Sequence, residues 1–466
     1  MKTAIFVLTL SLLFLSPIPF GSAEEWAGHL LELGAFTSLL LWVIWRREDL
    51  KIKTYRFYIP FGVFLLICLL QIIPLPSFLL GPLSPKSLGI WRESESVLSL
   101  VGLGSGKALY TVSISPNKTW KNILLILAYF SFFLVVVNTF EKREIRFLLF
   151  GVFAITLFEA FYGLTQYLTE SPDIVWYTGS STSTANGTYI NRNHFAGFLE
   201  MTIPLFIGYA LSLGDWEKKG FFRSFVSSDR FSKEVLLFFL AGIMLVALIF
   251  SKSRAGIFSA FSSLLFFYVL LSIKFQNIGK ETGGVKRRAF IAVLVVASAY
   301  ALWIGLDPVI ERFTRIEGDT VLGRAVVWKD TVRATLDFPL LGMGLGTYGD
   351  VFPVYRKEAL EPVTYTHAHS DYLQLALETG FLGFVAIILG IGLFFTFSWK
   401  RIKSFPLERG DPFRLFVSIG ALSGIFSLLL HSFADFNLHI PANGLYFTFL
   451  FGVIVVLLGD RNKILA

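Results

Sequence analysis

Long apolar runs dominate this sequence of 466 residues and restrict what it can fold into. A helix of about 20 apolar residues crosses the hydrocarbon core of a bilayer. Twelve such runs begin near the following residues: Ala4, Ala27, Phe57, Thr119, Phe147, His194, Val235, Gly256, Ala289, Ser370, Phe413 and Ile440. Hydrophobic residues make up 54% of the chain and charged residues only 16%, a balance typical of polytopic membrane proteins. We therefore predict an all-α fold with about twelve transmembrane helices.

Basic residues are concentrated in alternate loops. The proposed inner segments are the following: Lys2, Arg46–Arg56, Lys142–Arg146, Lys218–Lys233, Lys274–Arg288, Lys400–Arg414 and Arg461–Lys463. Because cytoplasmic loops are rich in lysine and arginine, this alternation predicts that both termini are cytoplasmic. It also accounts for the net charge of +8 without a nucleic-acid partner.

The first apolar run has two interpretations. Met1–Ala23 resembles a cleavable signal peptide, and cleavage would leave eleven spans with the same outer face. Retention is favoured because an even number of spans places both termini inside. The whole chain then forms one integral membrane domain: helices 1–9 in residues 1–306, an outer loop in 307–369 and helices 10–12 in 370–466. This loop of about 60 residues is too long for a simple connection, and "GRAVVWKDTVRATLDF" within it predicts a helix.

The six histidines all fall at or near the predicted outer face, and they are His29, His194, His367, His369, His431 and His439. Ionisable residues at a membrane rim are candidate functional groups, although a histidine also tolerates an interface. His367 and His369 together open "THAHSDYLQLALETGFLG". On a continuous helix, Gly380 and Gly383 lie within about 40° of His369, so one face would carry all three. The glycines would admit a lipid chain or simply a neighbouring helix.

Arginine provides the second candidate chemistry, because it binds phosphate bidentately and keeps its charge. Arg254 in "SKSRAG" lies at the outer end of a span, and Arg324 in "GRAVVW" lies in the large outer loop. A phosphate ligand outside the cell is expected to be carried by a lipid. The alternatives are that Arg254 reaches lipid head groups and that Arg324 lies on a solvated helix face.

Two further outer stretches carry polar residues. In "HSFADFNLHIPAN", Asp435 is placed to orient a histidine or to pair with an arginine. In "NGTYINRNHFAGF", Asn191, Arg192, Asn193 and His194 either bind hydroxyl or phosphate groups or cap the following helix.

The sequence resembles a known family in several of these stretches. The motif of the O-antigen ligases is His-[Asn/Ser/Gln]-x9-Gly-x2-[Gly/Thr/Tyr]. This sequence matches it with His369-Ser370, then nine residues, Gly380, two residues and Gly383. "NRNHFAGF", "SKSRAG" and "DFNLHIPAN" are also similar to stretches of the O-antigen ligase and polymerase-like membrane glycosyltransferases. The resemblance implies a multi-pass protein of the bacterial inner membrane, with its active site on the periplasmic side. It implies a glycan donor linked to undecaprenyl pyrophosphate and, as acceptor, lipid A-core or a growing glycan.

The resemblance also implies roles for individual residues. His369 matches the histidine that activates the acceptor hydroxyl, and Arg254 and Arg324 look like the arginines that hold the pyrophosphate. The other candidates have supporting roles, and they are His367, Asp435, Arg192, Asn193 and His194. Family members invert the anomeric configuration without a metal or another cofactor, in agreement with the missing Asp-x-Asp pair.

Several functions stay open. Ligase activity is favoured slightly over an O-antigen or exopolysaccharide polymerase, and protein O-oligosaccharyl transfer comes third. A lipid or polysaccharide transporter is the main alternative from a different class, and a purely structural membrane protein is another. A transporter would place charged residues near the middle of several spans, where only Glu159 and Glu200 stand out.

Overall fold

The structure is a computed structural model that describes residues 1–48, 52, 55–103, 109–171, 173, 184–213, 229–275, 318–356, 365–406 and 411–459. The predicted span near Ala289 lies outside these residues, as do the basic stretches around Lys219 and Arg287.

The described chain is almost entirely helical. The helices are α1 (Lys2–Leu15), α2 (Glu25–Arg46), α3 (Tyr58–Ile72), α4 (Ser77–Leu83), α5 (Pro85–Leu100), α6 (Pro116–Thr139), α7 (Lys142–Leu168), α8 (Arg192–Ser212), α9 (Asp229–Phe250), α10 (Arg254–Lys274), α11 (Gly318–Asp337), α12 (Tyr348–Tyr355), α13 (Asp371–Ser404), α14 (Pro412–His431) and α15 (Pro441–Leu458). Short 3-10 turns span Phe20–Ser22 and Asn437–His439, and β1 (Leu75–Pro76) pairs antiparallel with β2 (Leu109–Tyr110).

This architecture confirms the predicted all-α polytopic membrane fold. Among the described residues, nine helices are long and apolar enough to cross a membrane, and α1 and α3 are shorter apolar helices. Together they correspond to every predicted span except the one near Ala289. Helical apolar runs satisfy all of their backbone groups internally, and this is why apolar segments of this length adopt them in a bilayer.

Helices α8 and α14 form the centre of the bundle. Every residue of α8 from His194 to Leu211 is buried. Gly420 and Gly424 of α14 lie directly against the backbone carbonyls of Pro204 and Met201 in α8, so a side chain at either glycine would separate the helices. Small residues at such positions permit the close packing that stabilises helix pairs in lipid.

Basic residues from different predicted inner segments meet at one end of this bundle. Lys2 pairs with Glu144 at 2.7 Å, and Lys142 pairs with Asp411. Lys274 donates to two backbone carbonyls near the end of α13, at 2.9 and 2.6 Å. The N-terminus and the ends of α6, α10 and α13 therefore lie on the same side, as the alternation of basic loops predicts.

The large loop before α13 is partly helical where it is described, as predicted, because α11 and α12 lie within it. These helices pack around a small apolar core of its own. The core consists of Val327, Ala334, Phe338, Met343, Tyr348, Val351, Phe352, Ala368 and Leu377. Ala368 and Leu377 come from the chain around the start of α13, so the loop rests directly on the segment that carries the motif.

Helix α13 is not continuous, and the predicted arrangement of one face is therefore wrong. Gly380 has φ 66° and ψ −174°, which breaks the helix one third of the way along. His369 precedes the N-terminal residue Ser370 and has φ 50°, so it lies outside the helix altogether. The stretch that was expected to present His369 above Gly380 and Gly383 thus contains two left-handed residues that redirect the chain.

The space at the break is filled by protein. Phe381 N–H donates to Pro339 O at 2.8 Å, and Met343 N–H donates to Leu377 O at 3.1 Å. These bonds satisfy backbone groups that an interrupted helix leaves without partners. Gly380 touches the backbone of Leu340, so the glycine admits the loop 339–344 rather than a lipid chain.

Candidate functional site

The segment just before α13 holds His369 in an unusual backbone conformation. The carbonyls of Ala368 and His369 both accept from Trp328 Nε1, at 3.0 and 3.3 Å. Trp328 belongs to α11, so the outer loop fixes the direction of this segment. A positive φ in a residue other than glycine needs such support, because it costs about 1–3 kcal/mol.

Asp435 is the residue on which the predicted site residues converge. Its Oδ1 lies 3.7 Å from His369 Nδ1 and 3.9 Å from His194 Nε2. Its Oδ2 lies 3.8 Å from a guanidinium nitrogen of Arg324 and accepts a hydrogen bond from Asn193 Nδ2. The side chain of Asp435 is 0% exposed, whereas that of His369 is 26% exposed. Residues from three distant parts of the sequence therefore meet at the carboxylate of Asp435.

The environment of Asp435 favours its ionised form. Burial alone would raise the pKa of this carboxyl group, but the His369 ring, two further histidines and the Arg324 guanidinium outweigh it. The pKa of Asp435 is consequently held below its ordinary range. Arg324 also donates to the neighbouring carbonyl of Ala434 at 3.0 Å, which ties α11 to this loop. A buried anion thus faces His369 across the pH range in which bacteria grow.

The aromatic ring of Phe436 contacts three histidines of the site. Phe436 contacts His194 edge-on at 4.7 Å and His369 at 5.1 Å, and it stacks on His367 at 4.2 Å between ring centroids. His367 Nδ1 lies 3.2 Å from Gln374 Oε1. Burial, followed by neighbouring histidines, lowers the pKa of His367 to about 3, so this ring is neutral at neutral pH.

Sequence reasoning missed a second histidine–aspartate pair. His439 Nδ1 lies 2.8 Å from Asp371 Oδ1. His439 was counted among the outer histidines, and Asp371 directly follows the motif dipeptide. However, 67 residues lie between Asp371 and His439, so no recognisable spacing pattern links them. Only the return of the chain through α13 and α14 brings them together.

The remaining predicted residues lie around this cluster. Arg192 is the first residue of α8, two residues before His194, and Asn191 caps that helix by accepting from Asn193 N–H at 2.9 Å. The capping alternative therefore holds for Asn191, while the side chain of Asn193 reaches Asp435. Arg254 begins α10, and the neighbouring Gly256 packs against Ala196 and His431.

The geometry assembles the elements of an acid–base site at a membrane rim. A partly exposed imidazole stands beside a buried carboxylate that is placed to stabilise a positive charge on the ring. The Arg324 guanidinium on α11 provides permanent positive charge beside them, as an anionic leaving group requires. The 3.7 Å separation at His369 exceeds a hydrogen bond, and such contacts often tighten when substrate binds.

Comparison with known proteins identifies a domain in the same part of the chain. Residues 239–388 match the family model described as O-antigen ligase, a region that includes Arg254, Arg324 and His369. The match confirms the resemblance predicted from the motif. No curated protein matches the chain.

Proposed function

Because residues 239–388 match the O-antigen ligase family model in a polytopic membrane protein, we propose that the chain transfers a glycan from undecaprenyl pyrophosphate to an acceptor hydroxyl. The reaction takes place at the end of the bundle that carries His369, which is the periplasmic face of the bacterial inner membrane. The observation that carries the proposal is the convergence of His369 and Arg324 on the buried Asp435.

His369 is the general base in this proposal. Its Nδ1 faces Asp435, so the opposite nitrogen, Nε2, accepts the proton of the acceptor hydroxyl. The hydroxyl oxygen then attacks the anomeric carbon of the donor sugar as the bond from that carbon to the pyrophosphate oxygen breaks. Attack from the side opposite the leaving group inverts the anomeric configuration. Asp435 offsets the positive charge that His369 gains.

Arginine supports departure of the undecaprenyl pyrophosphate. Arg324 lies 3.8 Å from Asp435 and is one-third exposed, so part of its guanidinium remains open to a ligand. Arg254 begins α10, whose Gly256 packs against Ala196 and His431, and we assign it to the same diphosphate. Pyrophosphate is a good leaving group, and positive charge on these side chains replaces the need for a strong general acid.

Ligase activity towards lipid A-core is the preferred form of the proposal. A polymerase that extends a growing glycan uses the same donor chemistry, and protein O-glycosylation differs only in the acceptor. A transporter is less well supported. Glu159 accepts hydrogen bonds from Thr188 at 2.7 and 2.8 Å, and Glu200 lies 3.2 Å from His431, so each intramembrane carboxylate has a local partner deep in the bundle.

Surface polysaccharide from a deletion strain of the source organism tests the proposal. We expect loss of polysaccharide attachment while intact lipid-linked polymer accumulates. Accumulation of single lipid-linked repeat units would instead identify a polymerase. Normal polysaccharide would overturn the enzyme assignment.

Complementation of that strain tests the residues. The wild-type gene should restore attachment, and His369→Ala should not, although its protein is inserted at normal levels. His29→Ala is the matched control, because His29 is an exposed histidine on α2. It should restore attachment fully, and restoration by His369→Ala as well would refute the assignment of the base.

A further inference from the structure

The segment before α13 and the loop 432–439 exchange histidine–aspartate contacts in both directions. His369 of the segment faces Asp435 of the loop, and His439 of the loop bonds Asp371 at the start of α13. The proposed reaction uses only the first pair. The second pair joins the same two pieces of chain, and His439 also lies 5.1 Å from His367 between ring centroids.

Asp371 makes most of the hydrogen bonds between these pieces. Its carboxylate accepts from Ser432 Oγ at 2.7 Å and from Leu438 N–H at 3.2 Å, besides its bond to His439. Its own N–H donates to the carbonyls of Ser432 and Asp435, at 2.9 and 3.1 Å. One residue that is 5% exposed thus bonds both ends and the middle of the loop.

These contacts are more than the capping of a helix. Ser370 is the N-terminal cap of α13 and makes no side-chain capping bond, while Asp371 turns its carboxylate away to the loop. The N–H of Asp371 is among those that a helix start leaves free, and here it fixes the backbone of Asp435. The position of Asp435 relative to His369 therefore depends on Asp371.

We propose that Asp371 is a positioning residue, which clamps the loop 432–439 through a protonated His439 and so holds Asp435 against His369. This inference rests on the proposed function, because its effect is read out through His369. Neither Asp371 nor His439 needs to touch the substrate in this scheme.

The charges around His439 agree with a protonated ring. Burial opposes protonation, but the hydrogen bond and charge of Asp371 outweigh it, and Glu378 adds to them, so the pKa of His439 is raised. His367 and His194 are the other titratable groups that interact with it, and positive charge on either would oppose protonation. The clamp is therefore in place while His439 is protonated and weakens as the pH rises through the raised pKa of His439.

Rates of undecaprenyl pyrophosphate release test the clamp. The probe is the lipid-linked glycan. It is assayed in detergent-permeabilised vesicles from the deletion strain, which expresses one full-length variant at a time. Asp371→Ala should lower kcat roughly 10²-fold, because a misplacement near 1 Å is costly to catalysis. KM for the donor should change less than kcat, because Arg324 is carried by α11 and only its contacts with Ala434 and Asp435 lie on the clamped loop. A change in KM with an unaltered kcat would overturn the inference.

The pH dependence separates a charged clamp from simple structural support. Asp371→Asn keeps an acceptor for Ser432 and Leu438 but cannot stabilise an imidazolium at His439. We expect partial activity whose alkaline decline moves to lower pH than in the wild type. In a His439→Gln background, Asp371→Asn should cause no further movement of that decline. An unshifted profile in Asp371→Asn would refute the role of charge.

Two controls keep the outcomes distinct. Asp350→Asn alters another carboxylate of the outer loop, one that pairs with Lys118 at 2.5 Å, and should leave kcat unchanged. His369→Ala is assayed in parallel. If it is inactive while Asp371→Ala has wild-type kcat and pH profile, the clamp is refuted and the proposed function stands. If His369→Ala is fully active, the proposed function itself fails. Should Asp371→Ala fail to fold, the profile of Asp371→Asn decides.

Discussion

Substitution of Gly380 by alanine tests whether the break in α13 requires glycine at this position. At φ 66° and ψ −174°, Gly380 occupies a region of backbone space that is essentially restricted to glycine. An alanine Cβ would also overlap the carbonyl group of Leu340 and the backbone nitrogen of Gly342. The substitution must therefore strain the backbone and displace the loop 339–344.

The expected cost follows from these two effects. Backbone strain of this kind costs about 1–3 kcal/mol. Displacement of the loop also weakens the bond from Leu382 N–H to Leu340 O, now 3.3 Å, and a bond of this type contributes about 1 kcal/mol. We therefore expect Gly380→Ala to destabilise the protein by about 2–4 kcal/mol.

Thermal unfolding in detergent measures this effect, with the loss of monodisperse protein as the readout. Gly380→Ala should have a clearly lower Tm than the wild type. Gly392→Ala is the matched control, because Gly392 lies in the same helix with no heavy atom within 4 Å of an added Cβ. It should be neutral or slightly stabilising, since alanine is favoured over glycine in a helix interior. An unchanged Tm for Gly380→Ala would refute the strained-break account.

The remaining predictions concern chemistry and topology. His369→Ala should lower glycan transfer roughly 10²–10⁴-fold, the contribution of a general base, whereas His367→Ala should retain partial activity in the same vesicle assay; the reverse result would exchange their roles. Asp435→Asn should lower transfer roughly 10²-fold or more at unchanged expression, and wild-type activity would contradict its electrostatic role. The stability contributed by Asp435 exists above its ordinary pKa of about 4 and is lost only as the pH falls through its depressed folded value, so unfolding scans of the variant should differ least from the wild type in strong acid. A reporter that functions only in the cytoplasm should be active when fused near Arg401. Activity of a reporter that functions only in the periplasm would overturn the predicted orientation.

The membrane fold could be predicted from sequence because the bilayer imposes a simple rule. Any apolar run of sufficient length must satisfy its backbone internally, so hydropathy alone located α2, α6 and α7. The outer helix α11 was also predicted, from the stretch "GRAVVWKDTVRATLDF" inside a loop too long for a connection. Neither result depends on which residues contact each other across the bundle.

The break at Gly380 shows where this reasoning ends. A glycine in an apolar run is compatible with helix packing, with lipid contact or with a left-handed turn, and local sequence does not separate these cases. What decides here is the loop 339–344, which supplies bonding partners for the interrupted helix. Because that loop is about 40 residues upstream, periodicity within α13 carries no trace of it.

The site was predicted in composition more fully than in arrangement. His369, Asp435 and Arg324 were selected by residue type and by their place at the rim, and the structure brings them together. The pair of Asp371 and His439 was missed, because each residue has an ordinary local explanation as a helix-start carboxylate or an interfacial histidine. Only the fold turns these two separate residues into a contact.

The two histidine–aspartate contacts are mechanically coupled, since the same two chain segments carry both. A shift of the loop 432–439 that lengthens the contact of His439 with Asp371 also moves Asp435 away from His369. Substitutions in the two pairs should therefore be non-additive, as expected for residues that share one connected network. Once Asp371→Ala has released the loop, replacing Asp435 should cost less than it does in the intact protein. The two histidines that open the motif region differ in their contacts, because His367 stacks on Phe436 whereas His369 faces the carboxylate of Asp435, so only substitution of His369 removes one of the coupled pairs directly.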